Sequence, residues 1–339
     1  MTVTAPERGA ETGDALARCA GDVDRFLADD WQRQAAIYRE VAQDRFSDLL
    51  TLDDVDRFLT TTALRTPFFR LVHAGERIPE ASYTRSGRAG SRDVVGIADP
   101  ARVAAAFEGG ATIVLQGLHR WSEPVMRFTR DLELRLGFPC QVNAYVTPAG
   151  AQGLDLHEDP HDVFVLQAFG RKRWQLHAAP GEPQRPPLDE QVAPGDTIYM
   201  PAGTPHAASA QAGVSGHLTV GVHVARWREV ATAAWTSSAE DPSLNEPLPA
   251  GWHLDPEAHA AELAARLRAA AARLEAADAE AALERRAERF LSGRAQLARG
   301  SVAERAMSLE LDDATEIRRR PGSICIVRPD GDRVTVLLG

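Results

Sequence analysis

Cysteine is scarce in this chain of 339 residues. Cys19, Cys140 and Cys325 are odd in number, widely spaced and never part of a Cys-x-x-Cys pair. That argues against a disulfide framework and a cysteine-built zinc site, and it suits a reducing compartment. Long apolar runs are also missing, so no stretch approaches the roughly 20 residues that a membrane-spanning helix needs. Met1 to Gly13 is polar, with proline and glycine in place of the apolar centre of a secretion signal. The expectation is a cytoplasmic protein, with no membrane contact and a disordered N-terminus over residues 1–15. Positive charge is in deficit: 38 Lys and Arg stand against 48 Asp and Glu, for a net charge of -10. Direct nucleic-acid binding is therefore not expected, and an acidic surface favours a basic polypeptide partner. What is present is ordinary globular composition, 44% hydrophobic, with length enough for a large buried core.

The most informative residues are His157, Asp159 and His206. Side chains two apart on a strand share a face, so His157 and Asp159 can chelate one metal ion together. His-x-Asp alone is a weak signal, because the two residues fall at this spacing by chance in many chains. The second segment raises it. Thr197 to Met200 reads as a strand entering the turn Pro201-Ala202-Gly203-Thr204-Pro205, with His206 at its exit. Two imidazoles and one carboxylate on one face of a metal leave the opposite positions open, the arrangement of non-haem Fe(II) oxygenases. A barrel that has lost its metal, or holds another divalent ion, is the bland alternative.

Lys172 is a further candidate. In Arg171-Lys172-Arg173-Trp174-Gln175-Leu176 the alternation puts Lys172 on the apolar face with Trp174 and Leu176. A lysine pointing into a barrel needs a partner, because an unpaired internal charge is costly. The far carboxylate of a dicarboxylate co-substrate would supply one; otherwise Lys172 snorkels out at the turn.

Helices are expected between residues 16 and about 60, including Trp31 to Tyr38 and a capped helix over Thr51 to Leu59. Phe68 to Val72 and Ala111 to Gln116 read as strands, and Pro100 to Glu108 and Trp121 to Leu136 as helices. Short strands with glycine and proline turns dominate from Cys140 to about Val224. A linker is expected near residues 236–251, then one or two long helices from Pro256 to about Leu291, with a partial stripe of Leu263, Leu267, Leu274 and Leu283. Ser323 to Leu338 reads as a hairpin turning at Asp330-Gly331.

In combination, Asn143-Ala144-Tyr145, Leu156 to Gln167, Gly170 to Trp174, Tyr199 to His206 and His217-Leu218-Thr219 resemble the cupin-like JmjC ribosomal oxygenases. The resemblance implies a mainly β fold with α elements, built on a double-stranded β-helix barrel. It implies a catalytic domain with its N-terminal helices over 16–235, a helical dimerisation region over 236–300, and a shortened winged-helix-like domain over 301–339, hence a homodimer. It implies a peptidyl hydroxylase that uses Fe(II), 2-oxoglutarate and dioxygen on a ribosomal protein or peptide. His157, Asp159 and His206 are then the metal ligands, and Lys172 binds the 2-oxoglutarate far carboxylate. Asn143 and Tyr145 hold the substrate side chain. Members that hydroxylate arginine carry an acidic residue where Asn143 stands, so the neutral amide points to histidine, hydroxylated at Cβ. One departure is Gly221, where the family commonly has a serine near the substrate. It raises a second reading, hydroxylation of a ribosomally made natural-product precursor. From other classes stand a non-catalytic cupin scaffold that binds a basic peptide, and a small-molecule cupin enzyme without 2-oxoglutarate.

Overall fold

The computed structural model describes residues 14–39, 42, 44–151, 155–178, 187–210, 213–238 and 244, most of 246–294, a few positions between 302 and 316, and the backbone of 325–330 and 333–338. The chain divides into two compact units. One is built on residues 2–224, and the other on residues 225–296 and 323–339.

The first unit opens with α1 (Ala15–Ala20) and α2 (Val23–Arg25), the latter running into a wide helical turn over Phe26–Asp30. The chain then enters β1 (Ala36–Tyr38) rather than the helix expected over Trp31 to Tyr38. Tertiary pairing overrides the apolar spacing there. Gln32 takes a positive φ of 59°, and Ala36 to Tyr38 pair with Tyr199 to Thr197. Helix α3 (Leu52–Thr61) starts where its sequence says it should, since Thr51 and Asp54 form a reciprocal capping box. After it come β2 (Phe69–His73), β3 (Glu76–Arg77), the hairpin β4 (Thr84–Ala89) and β5 (Arg92–Ala98), α4 (Pro100–Glu108), β6 (Thr112–Leu115) and α5 (Glu123–Leu136).

Seven strands complete this unit: β7 (Cys140–Thr147), β8 (Asp162–Phe169), β9 (Lys172–Leu176), β10 (Leu188–Val192), β11 (Thr197–Met200), β12 (His206–Ala210) and β13 (Ser215–Val222). They form two antiparallel sheets, an eight-stranded one in the order β1-β11-β8-β13-β7-β6-β2-β3 and a three-stranded one in the order β10-β9-β12. Alternation decides what each face meets. On β7, Val142, Ala144 and Val146 join Leu218, Val220 and Val222 of β13 in a core packed with Leu16, Phe58, Val125 and Leu132 of the helices. The intervening residues Tyr145 and Thr147 face a cavity bounded by both sheets. A second core, with Val163, Val165, Trp174, Leu176, Ile198 and Met200, packs the three-stranded sheet against β8 and β11. Gly170 makes the tight passage from β8 to β9. It has φ of +65°, and a Cβ there would lie 2.0 Å from the Val214 carbonyl oxygen.

The second unit holds α6 (Trp227–Ser238), α7 (Ala260–Glu275), α8 (Ala279–Ser292) and the hairpin β14 (Cys325–Asp330) with β15 (Arg333–Leu338). Helix α6 was not expected, and it carries the chain into the stretch read as linker. The expected winged-helix segment before the hairpin lies almost wholly outside the described residues, as does most of the N-terminal stretch 1–15. No helix among the described residues is long and apolar enough to cross a membrane.

Candidate metal centre and co-substrate pocket

His157, Asp159 and His206 meet at one point, with one ligand atom from each lying within 4.8 Å of the others. The local backbone differs from the expected strand pair. His157 lies on a single bridge to His206, in which each backbone N–H reaches the other's carbonyl at 3.0 and 2.8 Å. Asp159 follows outside any strand, its carbonyl accepting from the Gly203 N–H at 2.8 Å. The two segments are thus held together by three backbone hydrogen bonds around the turn that delivers His206.

The chemistry of the donor set fits a metal ion. The Nδ1 of His157 lies 2.7 Å from the Asp155 carbonyl oxygen, and the Nδ1 of His206 lies 2.9 Å from that of Thr204. A carbonyl can only accept, so each Nδ1 carries the proton and donates it. Each Nε2 lone pair is left for a cation, the usual device by which outer partners orient a histidine ligand. Burial pushes the His206 pKa down, which keeps the ring neutral. Asp159 Oδ2 lies 3.8 Å from His206 Nε2 and completes a set of two imidazoles and one carboxylate.

Behind the triad is Asp162, at the start of β8 and buried. It accepts from the Tyr199 hydroxyl at 2.5 Å, from the Ala202 N–H at 3.1 Å, and from the Gln32 side-chain amide. One carboxylate therefore fastens β8, β11 and the Pro201–Pro205 turn to the N-terminal segment. Burial raises its pKa despite these donors.

The cavity measures about 230 Å³, and Tyr145, His157, Asp159, Lys172, Trp174 and His206 are among the residues lining it. Lys172 points inward and is 2% exposed, as the alternation of β9 requires. Its ammonium donates to the Thr147 hydroxyl at 3.1 Å, and burial lowers its pKa to about 7. His217 and Trp174 were not picked out by residue pattern, yet both line the same space. His217 stacks on Tyr145 with ring centroids 5.2 Å apart. Its Nδ1 and the Trp174 Nε1 are buried without a hydrogen-bond partner among the described residues. Orphaned buried polar nitrogens, the Trp174 N–H among them, beside an inward lysine fit an oxygen-rich anion, and a dicarboxylate supplies such oxygens. The spacing of His217 two before Thr219 on one strand face was the signal available in the sequence.

Asn143 lies one row outward from Tyr145 on the same face of β7. Its side-chain oxygen accepts from the Gly117 N–H at 3.0 Å, and its NH2 group is turned to the Tyr145 hydroxyl. Tyr145 is raised in pKa by burial, against the hydrogen bond from Asn143. Gly221 is two register pairs further out, opposite Gln141. A Cβ at Gly221 would meet the His161 ring at 2.9 Å, so the imidazole fills the room a serine would need.

Comparison with known proteins agrees with this geometry. The JmjC domain family matches residues 121–230, which span β7 to β13 and with them the whole triad. The chain thus carries a JmjC domain and is similar, over part of its length, to ribosomal oxygenases. Over 218 residues it is 29% identical to ribosomal oxygenase 1 of Rattus norvegicus, covering 59% of this chain and 35% of that protein. It is 27% identical over 227 residues to the bifunctional lysine-specific demethylase and histidyl-hydroxylase NO66 of Drosophila erecta, covering 59% and 32%. The chain thus spans about a third of the length of these curated JmjC relatives. Among solved structures, Escherichia coli YcfD, a ribosomal oxygenase in complex with cobalt and 2-oxoglutarate, is 17% identical, with 93% of this chain and 84% of that one covered and a TM-score of 0.48.

Proposed function

We propose that this chain is an Fe(II)- and 2-oxoglutarate-dependent hydroxylase of a polypeptide side chain, a histidine in a ribosomal protein or peptide. The carrying observation is the triad with both Nδ1 atoms committed to backbone carbonyls, beside a buried lysine that lacks an acidic partner among the described residues. In this reading the two facing sheets are the double-stranded β-helix of a cupin barrel. His157, Asp159 and His206 hold the iron. Lys172 and Thr147 take the far carboxylate of 2-oxoglutarate, and His217 and Trp174 offer further donors along the cavity wall. Iron with 2-oxoglutarate and dioxygen supplies the oxidising power: the co-substrate is converted to succinate and carbon dioxide, and one oxygen atom enters a substrate C–H bond.

The protein's own part is positioning. Tyr145 and the NH2 group of Asn143 present hydrogen-bonding groups on the outer side of the cavity, where a neutral imidazole can use them. A guanidinium would find no carboxylate at position 143, which supports histidine over arginine. The histidyl-hydroxylase activity named for a relative is consistent with that choice. A ribosomally made precursor peptide is the alternative substrate, favoured only by the departure at Gly221. We place the protein in the cytoplasm as a homodimer.

The test is a mass comparison of ribosomal proteins from cells with and without this gene. Loss of one oxygen, about 16 Da, from a single protein, located to histidine by fragmentation, is the expected result. Unchanged ribosomal masses would overturn the ribosomal target and move the search to precursor peptides.

A further inference from the structure

Arg70 is a cation facing the cavity for which the proposed chemistry has no use. It lies on β2, where its Cα partner across the ladder is Val114 of β6. Val114 in turn pairs with Tyr145 of β7, and Tyr145 with His217 of β13. All four side chains line the cavity, so Arg70 ends a row that runs across the sheet from His217. Its guanidinium is held in place. Nε donates to the Gln116 side-chain oxygen at 2.6 Å, and the Gln116 amide donates to the Pro67 carbonyl at 2.7 Å. No described residue accepts from its two terminal amino groups, and no described carboxylate pairs with it. Burial disfavours its charge, the Tyr145 and Tyr83 hydroxyls lie close to it, and Arg77 adds a like charge nearby.

Charge accounting gives this arginine a meaning. Asp159 is the single carboxylate among the cavity-lining residues, against Lys172 and Arg70. A divalent metal, Asp159, a dianionic co-substrate and Lys172 sum to neutrality, which leaves the Arg70 charge uncompensated. A half-buried guanidinium without a counter-ion is a strong site for a carboxylate, which it can grip in two places. Position argues that this carboxylate is not the co-substrate's. Arg70 is three strand spacings, roughly 14 Å, from His217 along the row, and it belongs to a different row from Lys172 and Thr147. It borders the outer cavity beside Tyr145, where the polypeptide residue docks.

We propose that Arg70 is a specificity-determining residue: its Gln116-held guanidinium binds an aspartate or glutamate side chain adjacent to the residue that is hydroxylated. The inference rests on the proposed function for the presence of a bound polypeptide. The same charge repels a substrate arginine, a second reason for a neutral target beside the one Asn143 provides.

The test uses the full chain with Fe(II) and 2-oxoglutarate under anaerobic conditions and two fluorescent pentapeptides, Gly-Glu-His-Glu-Gly and Gly-Gln-His-Gln-Gly. The glutamate peptide binds about tenfold more tightly to the native protein, as one charge-assisted contact allows. Arg70→Gln removes the preference, and Arg70→Glu reverses it, with the 2-oxoglutarate midpoint unchanged in both. A native protein with no preference, or one whose preference survives Arg70→Gln, overturns the proposal. So does an Arg70→Gln protein whose 2-oxoglutarate midpoint rises, since the guanidinium would then serve the co-substrate. A protein that ranks the peptides through Arg70 but shows no iron and 2-oxoglutarate absorption would keep this inference and overturn the oxygenase reading.

Discussion

A serine at position 221 would collide with the ring of His161, 2.9 Å from the new Cβ. Gly221→Ser is therefore expected to lower the melting midpoint by about 2–4 °C for each kcal/mol of strain. Gly221→Ser combined with His161→Ala should restore it, measured by calorimetry. Lys172 makes the opposite kind of prediction. Its pKa is near 7 in the folded chain against an ordinary value of 10.5, because burial disfavours the ammonium. Between these two values the unfolded chain binds more protons, so this residue makes stability rise with pH from about 7 to 10.5. Below pH 7 the folded protein bears the full cost of the buried charge. Lys172→Met should stabilise the protein without co-substrate, most at pH 6 and less at pH 9, while abolishing 2-oxoglutarate binding. In the native protein, 2-oxoglutarate affinity should fall about tenfold per pH unit above 7, because binding must first restore the proton.

At the level of elements, the loop from His157 to Asp159 is held by its bridge to His206 and by the Gly203 N–H on the Asp159 carbonyl, not by a regular strand, and Asp162 anchors the turn between them. Asp162→Ala would leave Tyr199, Gln32 and the Ala202 N–H without their acceptor. We expect it to weaken iron binding, because the turn that delivers His206 loses an anchor, with β1 and β11 exchanging amide protons faster. The same elements show what the sequence disclosed. The clustering of His157, Asp159 and His206 was legible because two of them share a spacing of two residues and the turn before His206 is marked by two prolines and a glycine. Lys172 was legible because strand alternation has a period of two, and one charged side chain broke it. β1 was not: three residues pair with β11 only because the tertiary fold brings that edge to them, and their apolar spacing equally suits a helix. The hairpin of β4 and β5 was missed for a related reason. Its residues are mostly exposed, so no buried face imposes alternation on them. Arg70 was invisible because its role depends on four strands that lie far apart in the chain.

For the molecule as a whole, two units have different kinds of surface. The unit with the cavity buries its apolar residues between sheets and helices. In the helical unit Leu263, Leu267 and Leu283 remain 56, 45 and 45% exposed, respectively, which fits a face covered by a second copy. Leu263→Glu with Leu267→Glu should convert a dimer to monomers in analytical ultracentrifugation while leaving the iron site intact. A native chain that sediments as a monomer would remove the homodimer from the account. The central claim concerns the cavity, and anaerobic addition of Fe(II) and 2-oxoglutarate tests it most directly. The account predicts a visible metal-to-ligand charge-transfer band that saturates at one equivalent of iron, is absent in His157→Ala and is lost or greatly weakened in Lys172→Ala. A native protein that binds iron without the band, or a band unchanged in both variants, would contradict it.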